Sequence, residues 1–164
     1  MPSRSHRPQR IISGAQTGAD RAALDAAIEL GIPHGGFVPA GRKAEDGRVP
    51  DRYHVTELAS ALYDDRTERN VREADATLIV SIGPLTGGSL ATQRFCRRHQ
   101  KPHLHLDLSR ASVEKGVVLV REWLDRIRPA TLNIAGPRES TSPGIYDAVH
   151  ALLHAVLADE RAAE

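Results

Sequence analysis

Cysteine, long apolar runs and a surplus of one charge are all scarce in this sequence of 164 residues. With Cys96 alone, the chain can form neither an intramolecular disulfide nor a zinc site built from several thiolates. Every apolar run is far shorter than the roughly 20 residues of a transmembrane helix, so we expect no membrane partner. The formal net charge is +1, with basic residues scattered among acidic ones, which argues against nucleic acid as a partner and favours a small anionic ligand.

The length and composition suit one compact domain, which we place at residues 10–160. Residues 1–9 contain basic side chains but no apolar stretch follows them, so we predict a flexible tail rather than a secretory signal. From this we expect a cytoplasmic protein.

Strand-like and helix-like segments alternate along the chain. Strands are predicted at residues 11–12, 76–82, 103–106 and 131–135. Helices are predicted at about residues 22–30, 64–73, 87–100, 112–126 and 144–158. Such alternation predicts an α/β fold with a mainly parallel sheet and helices on both of its faces. Between residues 33 and 50 glycine and proline are frequent, which predicts an irregular connection with one short strand near 36–38.

A glycine-rich segment joins the first strand to the first helix. Its candidate ligand-binding residues are Gly14, Gln16, Thr17, Gly18, Ala19 and Asp20. Glycines permit close backbone approach, and free amides at a helix N-terminus favour a phosphate or a similar oxyanion. The alternative is a plain glycine turn with Thr17 as the helix N-cap. Neither Gly-x-Gly-x-x-Gly nor a Walker A lysine is present, so ordinary dinucleotide binding and phosphoryl transfer are disfavoured.

Two further loops follow strands and precede helices. The second offers glycine amides and hydroxyl groups from Thr86, Gly87, Gly88 and Ser89. The third contains Gly136, Arg138, Glu139 and Ser140. There the Arg138 guanidinium suits an oxyanion, and Ser140 or Ser142 is a candidate cap of the last helix; the alternative is a capped loop with a surface Arg138–Glu139 pair. Loops that leave parallel strands meet at the carboxyl edge of the sheet, where ligands bind.

Other reactive residue types are weaker candidates. His103 and His105 share a strand face, and His150 and His154 are one helical turn apart, but neither pair has an obvious third ligand, so no metal site is assigned. Cys96 is best interpreted as a small core residue of a helix. Adjacent acidic residues diverge from one another, so no catalytic residue is assigned either.

Taken together, several motifs resemble the molybdenum cofactor carrier family. They are Ser13-Gly14-x-Gln16-Thr17-Gly18-Ala19-Asp20-Arg21-Ala22-Ala23-Leu24-Asp25, Gly31-Ile32-Pro33-His34-Gly35-Gly36, Gly41-Arg42-x-Ala44-Glu45-Asp46-Gly47, Arg66-Thr67-Glu68-x-Asn70-Val71, Leu85-Thr86-Gly87-Gly88-Ser89 and Ala135-Gly136-Pro137-Arg138-Glu139-Ser140. The resemblance runs from about residue 11 to residue 157. It implies a Rossmann-like three-layer α/β/α fold, a homo-oligomer (dimer or tetramer), binding of the molybdenum cofactor, which is a pterin carrying a phosphate, and molybdoenzymes as acceptors of that cofactor.

The same resemblance leaves two other functions open. The family is related to the lonely-guy phosphoribohydrolases of the wider SLOG superfamily, which cleave nucleoside monophosphates, and to nucleotide sensors. Their Gly-Gly-x-Gly-Thr-x-x-Glu pattern, aligned on Gly87, places Leu90, Ala91 and Arg94 at the Gly, Thr and Glu positions. Because the carboxylate is missing there, the pattern favours binding over catalysis, unless Glu45, Asp46, Glu68 or Glu139 substitutes for it.

The helix at residues 112–126 bears on the oligomer. Its apolar residues, which are Val117, Val118, Val120, Trp123 and Leu124, are numerous enough to cover both a core and a partner, although a core alone would also explain them.

Overall fold

The computed structural model describes residues 5–158. Its strands are β1 (Arg10–Ile12), β2 (His34–Gly35), β3 (Phe37–Val38), β4 (Lys43–Ala44), β5 (Gly47–Arg48), β6 (Thr56–Glu57), β7 (Ala76–Ser81), β8 (His103–Asp107) and β9 (Thr131–Ala135). Its helices are α1 (Ala19–Glu29), α2 (Tyr63–Glu73), α3 (Gly87–Arg98), α4 (Val113–Ile127) and α5 (Ile145–Leu157). All five predicted helices are therefore found, as are all five predicted strands, including the short one near residues 36–38, with small shifts at their ends.

The central sheet has five parallel strands in the order β2-β1-β9-β7-β8. β9, the last strand in the chain, lies in the middle of the sheet between β1 and β7. β7 is buried along its whole length, as its unbroken apolar run predicts. The predicted Rossmann-like α/β fold is thus confirmed.

The two faces of the sheet differ in polarity. Successive strand residues point to opposite faces, so Leu78 and Val80 face one way and Thr77 and Ser81 the other. Leu78 and Val80 pack into the main apolar core with α1, α4 and α5. On the opposite face, which α2 and α3 cover, Asn133 hydrogen-bonds to the Thr77 hydroxyl at 3.3 Å. Polar groups buried on this face mark the side of the sheet on which a polar ligand could be held.

The connection at residues 33–50 is more structured than the sequence predicts. It carries four two-residue strands rather than one: β2 joins the central sheet, β3 pairs with β6, and β4 pairs with β5 in a small hairpin. A second, smaller core lies beneath it, around Leu24, Val38 and the fully buried Tyr53. Two-residue strands have no detectable period, so the strands with which they pair decide whether they form.

Near the N-terminus, residues 5–9 of the predicted tail are described, and they hydrogen-bond to the domain. The backbone N–H of His6 donates to Asp125 at 2.6 Å, and Arg7 donates to the Leu30 carbonyl at 2.7 Å. Residues 1–4 and 159–164 lie outside the described part. No helix in residues 5–158 is long and apolar enough to cross a membrane.

On α4 the apolar residues divide between interior and surface. Val120, Trp123 and Leu124 are in the core, whereas Val118 is 54% exposed and Leu119 is 39% exposed. The oligomer expected from this helix stays a prediction.

Candidate functional site

A cavity of about 330 Å³ opens at the carboxyl ends of β1, β9 and β7, which are neighbours in the sheet. The three predicted loops therefore converge on one site, and α2 forms its remaining wall. The lining residues are Gly14, Gln16, Asp20, Tyr63, Asp64, Arg66, Thr67, Asn70, Thr86, Gly87, Gly88, Ser89, Thr92, Asn133, Ile134, Ala135, Gly136, Pro137, Arg138, Ser140 and Thr141. A cavity of this size is at the lower end of the range for small-molecule sites.

Close backbone packing holds the first and third loops together. Gly18 has a φ of +81°, and a Cβ atom there would lie 2.5 Å from the carbonyl oxygen of Pro137. At Gly136 a Cβ would lie 2.4 Å from the Val80 carbonyl oxygen and 2.6 Å from the Ala19 Cβ. Neither Gly18 nor Ala19 is among the described residues that line the cavity. These two positions support the shape of the site rather than contact its contents.

In the first loop, most of the amides are already hydrogen-bonded within the protein. The N–H of Gln16 donates to the Asp20 carboxylate at 3.2 Å, and that of Thr17 donates to the Gln16 side-chain oxygen at 3.2 Å. The N–H of Ala19 donates to the Pro137 carbonyl at 3.3 Å. Because Asp20 supplies its own carboxylate at the N-terminus of α1, an external anion would find few free donors there.

The second loop has free donors instead. α3 begins at Gly87 with no side-chain cap, and within residues 5–158 the amides of Gly87 and Gly88 have no hydrogen-bond acceptor. The hydroxyl of Ser89 is buried, with the residue 5% exposed, and it also has no partner. A buried hydroxyl without a partner is costly, and the positive end of a helix attracts anions. This end of the cavity is therefore the better anion site.

A second buried group without a partner comes from the first loop. The side-chain nitrogen of Gln16 is buried and lacks an acceptor, although its side-chain oxygen receives bonds from Thr17 and Glu45. Both unpartnered groups, Gln16 Nε2 and Ser89 Oγ, belong to residues that line the cavity. They are groups that a bound ligand could satisfy.

Asp20 is the buried carboxyl group of the site. Burial raises its pKa from 3.8 to about 6, against the opposing effects of the Arg66 cation and of the amide hydrogen bond from Gln16. It is 8% exposed and lines the cavity. A carboxyl group that titrates near neutral pH can accept hydrogen bonds when ionised or donate one proton when neutral.

The wall formed by α2 was not assigned to the site from the sequence. Arg66 is 7% exposed and donates to the Gly14 carbonyl at 2.5 Å. The guanidinium carbons of Arg66 and Arg138 each lie 5.1 Å from the centre of the Tyr63 ring, which therefore has two cations against it. Tyr63, Arg66, Thr67 and Asn70 recur at helical spacing, and that shared face was the signal available in the sequence.

Glu45 joins the first and third loops at the rim. Its carboxylate accepts hydrogen bonds from the hydroxyls of Thr17 and Ser140, both at 2.5 Å, and these bonds, that of Ser140 foremost, lower its pKa. Arg138 lies 3.9 Å from the same carboxylate. Thr17 also accepts from the Glu139 amide at 3.2 Å. Thr17 thus holds the first and third loops together through hydrogen bonds. Within the described residues, it is not part of the cavity lining.

Glu139 has a different position from the one predicted. Its carboxylate accepts from the amides of Gly144 at 2.6 Å and Tyr146 at 3.0 Å, so it satisfies the start of α5. The prediction that Ser140 or Ser142 caps this helix is wrong, since Gly144 is the N-cap residue and the carboxylate reaches further than a serine hydroxyl.

Of the predicted site residues, ten line the cavity: Gly14, Gln16, Asp20, Thr86, Gly87, Gly88, Ser89, Gly136, Arg138 and Ser140. Thr17, Gly18, Ala19 and Glu139 lie behind it. None of the four carboxylates considered as substitutes for the missing lonely-guy glutamate lines the cavity, whereas Asp20 and Asp64 do. Cys96 is fully buried and its pKa is raised by burial, which fits a core residue.

The parallel sheet and the loop-lined cavity at its carboxyl edge define a Rossmann-like ligand-binding protein. Comparison with family models narrows this class: the model of the circularly permutated YpsA SLOG family matches residues 11–157, and the chain belongs to that family. The comparison with curated proteins gives no match.

One solved structure is closely similar over nearly the whole chain. It is a crystal structure of a protein from Syntrophus aciditrophicus named "putative molybdenum carrier protein", with 50% sequence identity and a TM-score of 0.92. The match covers 93% of this chain and 97% of that chain. With the family model, it confirms the family resemblance found in the sequence and supports a ligand-binding role.

Proposed function

We propose that this protein binds and carries the molybdenum cofactor. The observation that carries the proposal is the cluster of unused donors at the start of α3, namely the amides of Gly87 and Gly88 and the buried Ser89 hydroxyl. A phosphate group can accept hydrogen bonds from all three and is favoured by the helix dipole. The Syntrophus relative is named a molybdenum carrier, which is consistent with a ligand that contains molybdenum.

The organic part of the cofactor suits the other wall. A pterin has an amino group and a ring nitrogen whose hydrogen atoms a carboxylate can accept, and it has ring acceptors for an amide donor. Asp20 offers the carboxylate, and the unpartnered Gln16 Nε2 offers the donor. Arg66 of α2 and Arg138 of the third loop both lie against the Tyr63 ring, where their charges would balance that of the phosphate.

The metal would be carried by the cofactor and not by the protein. Among the described lining residues there is no cysteine or histidine, so the residues would recognise the pterin and its phosphate. We expect delivery to an apo-molybdoenzyme as the consequence of carrying. A homo-oligomer and a cytoplasmic location belong to the same proposal.

Ser89→Ala tests the phosphate contact. Removing an unpartnered buried hydroxyl should leave stability unchanged or higher, while the lost bond to a charged group should weaken binding by about 10-fold or more. The assay is a fluorescence titration with the oxidised, fluorescent, phosphate-bearing pterin obtained from the cofactor.

Ser112→Ala is the matched control, because Ser112 caps α4 on the other face of the sheet. It should lower stability and leave binding unchanged. No saturable binding to the wild-type chain, or equal affinities in wild type and Ser89→Ala, would reject the proposed phosphate site.

A second candidate function is hydrolysis of the N-glycosidic bond of a nucleoside monophosphate. It is favoured by Asp20, a cavity carboxyl group whose pKa of about 6 suits proton transfer near neutral pH. Water would add to the anomeric carbon as the bond from that carbon to the base nitrogen breaks. Asp20 would accept a proton from the water and donate it to the departing base nitrogen. Incubation with a panel of nucleoside monophosphates should then release free base in the wild type and not in Asp20→Asn; absence of release from all of them rejects this function.

A further inference from the structure

Glu29, His150 and His154 meet on the outer surface, away from the cavity. Nε2 of His150 lies 2.7 Å from Oε2 of Glu29, and Nε2 of His154 lies 2.6 Å from the same oxygen. One ligand atom from each residue lies within 4.8 Å of the other two. The sequence shows no obvious third ligand for this histidine pair, because Glu29 comes from a helix more than 100 residues earlier and only the fold brings it near.

The cluster follows from how α1 and α5 pack. His150 and His154 are four residues apart on α5 and so share a face. On α1, Asp25 and Glu29 share a face in the same way. Asp25 accepts a hydrogen bond from the Tyr146 hydroxyl at 2.5 Å, and Glu29 contacts the two histidines one and two turns further on. The two helices therefore run in the same direction.

We infer that these three residues form a binding site for a divalent transition-metal ion, with Zn²⁺ as the best match. Two imidazole nitrogens and one carboxylate are the ligands that Zn²⁺ takes in open sites, where water fills the fourth position. The side chains are between 31% and 46% exposed, so an ion can enter from solvent. Mg²⁺ and Ca²⁺ prefer all-oxygen sites and should not compete.

Neighbouring contacts orient the ligands in advance. The Tyr146 ring is stacked on His150, with centroids 5.8 Å apart and an angle of 15° between the planes. Tyr146 is itself fixed by Asp25. Groups that hold ligand rings in place raise metal affinity.

The inferred site is separate from the cavity and does not depend on the proposed function. Asp20 and Glu29 lie near opposite ends of α1, about 14 Å apart along the axis. An ion at Glu29 would link the C-terminal end of α1 to the middle and last turns of α5, so we expect it to stabilise the fold as any ligand of the native state does.

The test is Zn²⁺ titration of the full chain, first freed of metal, against a chromophoric chelator. We expect one Zn²⁺ per chain in the wild type. Loss of an outer partner of a metal ligand already costs about 10–100-fold in affinity, so Glu29→Gln and His154→Ala should each lower it by about 100-fold or more. Zn²⁺ should raise the melting temperature of the wild type but not that of Glu29→Gln.

His54→Ala is the matched control, because His54 stacks on His34, with ring centroids 5.2 Å apart, and neither residue belongs to this cluster. It should bind Zn²⁺ as the wild type does. Circular dichroism before titration shows that each variant is folded. Equal affinity in wild type and Glu29→Gln, or an equal loss in His54→Ala, would overturn the inference.

Discussion

Replacing Asp20 by Asn should make the protein more stable at neutral pH. Asp20 is buried in the cavity, and the rise of its pKa from 3.8 to about 6 corresponds to about 3 kcal/mol of unfavourable ionisation in the folded state, as an upper limit. Asn is nearly the same size and can still accept the Gln16 amide hydrogen bond. The variant thus keeps the contact and removes the charge.

The sign of the pH dependence follows from proton binding. Between about pH 4 and pH 6 the folded wild type holds a proton on Asp20 that the unfolded chain has released, so wild-type stability falls as pH rises through this window. The difference between Asp20→Asn and wild type should therefore be close to zero below about pH 3, where Asp20 is protonated in both states. It should approach about 3 kcal/mol above about pH 7, where the loss is complete.

Urea unfolding of both proteins at several pH values measures this difference. Asp64→Asn is the control, since it removes an exposed carboxylate of the same cavity and should change stability by no more than about 0.5 kcal/mol. A variant that is less stable than wild type at about pH 7.5, or a difference that does not change with pH, would refute the reasoning. Gain of stability together with loss of pterin binding would show that Asp20 is kept for function.

Two further predictions concern the shape of the site. Gly136→Ala should lower the free energy of unfolding by about 1–3 kcal/mol in chemical denaturation, because the new Cβ would press on Val80 and Ala19. Gly88→Ala is the control and should not be destabilising, since a Cβ there meets nothing within 4 Å. An equal loss of stability in the two variants would contradict the steric explanation. Thr17→Val should lower the free energy of unfolding by about 1 kcal/mol, because it removes the hydrogen bonds to Glu45 and Glu139. Thr17→Ser keeps the hydroxyl and should retain most of the wild-type stability. Equal stability of the two variants would show that the hydroxyl does not hold the loops together.

The sequence predicts the fold well where periodicity is strong. The unbroken β-branched run of β7 and the spaced apolar residues of α5 specify their elements locally. The short strands at residues 34–48 were mostly missed, since each depends on a partner that the local sequence does not reveal.

Convergence of the three loops is also predictable, because parallel strands end at one edge. What the sequence does not reveal is which donors remain free. From the sequence, the first loop is the stronger candidate for the anion site. In the structure its amides are bonded to Asp20, Gln16 and Pro137, so the amides of Gly87 and Gly88 are the better candidates.

Contacts between distant elements were beyond sequence reasoning. Arg66 lies on the polar helix α2, and the helical spacing shows which of its residues share a face with Arg66. The spacing does not show that this face contacts the first loop. Glu29 meets His150 and His154 only because α1 and α5 lie side by side in the fold.

The most direct test of the proposed carrier role is an NMR titration of the ¹⁵N-labelled chain with the oxidised, phosphate-bearing pterin. The largest saturable amide shifts should occur at Gly87 and Gly88, and the dephosphorylated pterin should leave these two amides nearly unchanged. No saturable shift at either residue, or equal shifts with both pterins, would contradict a phosphate site at the start of α3.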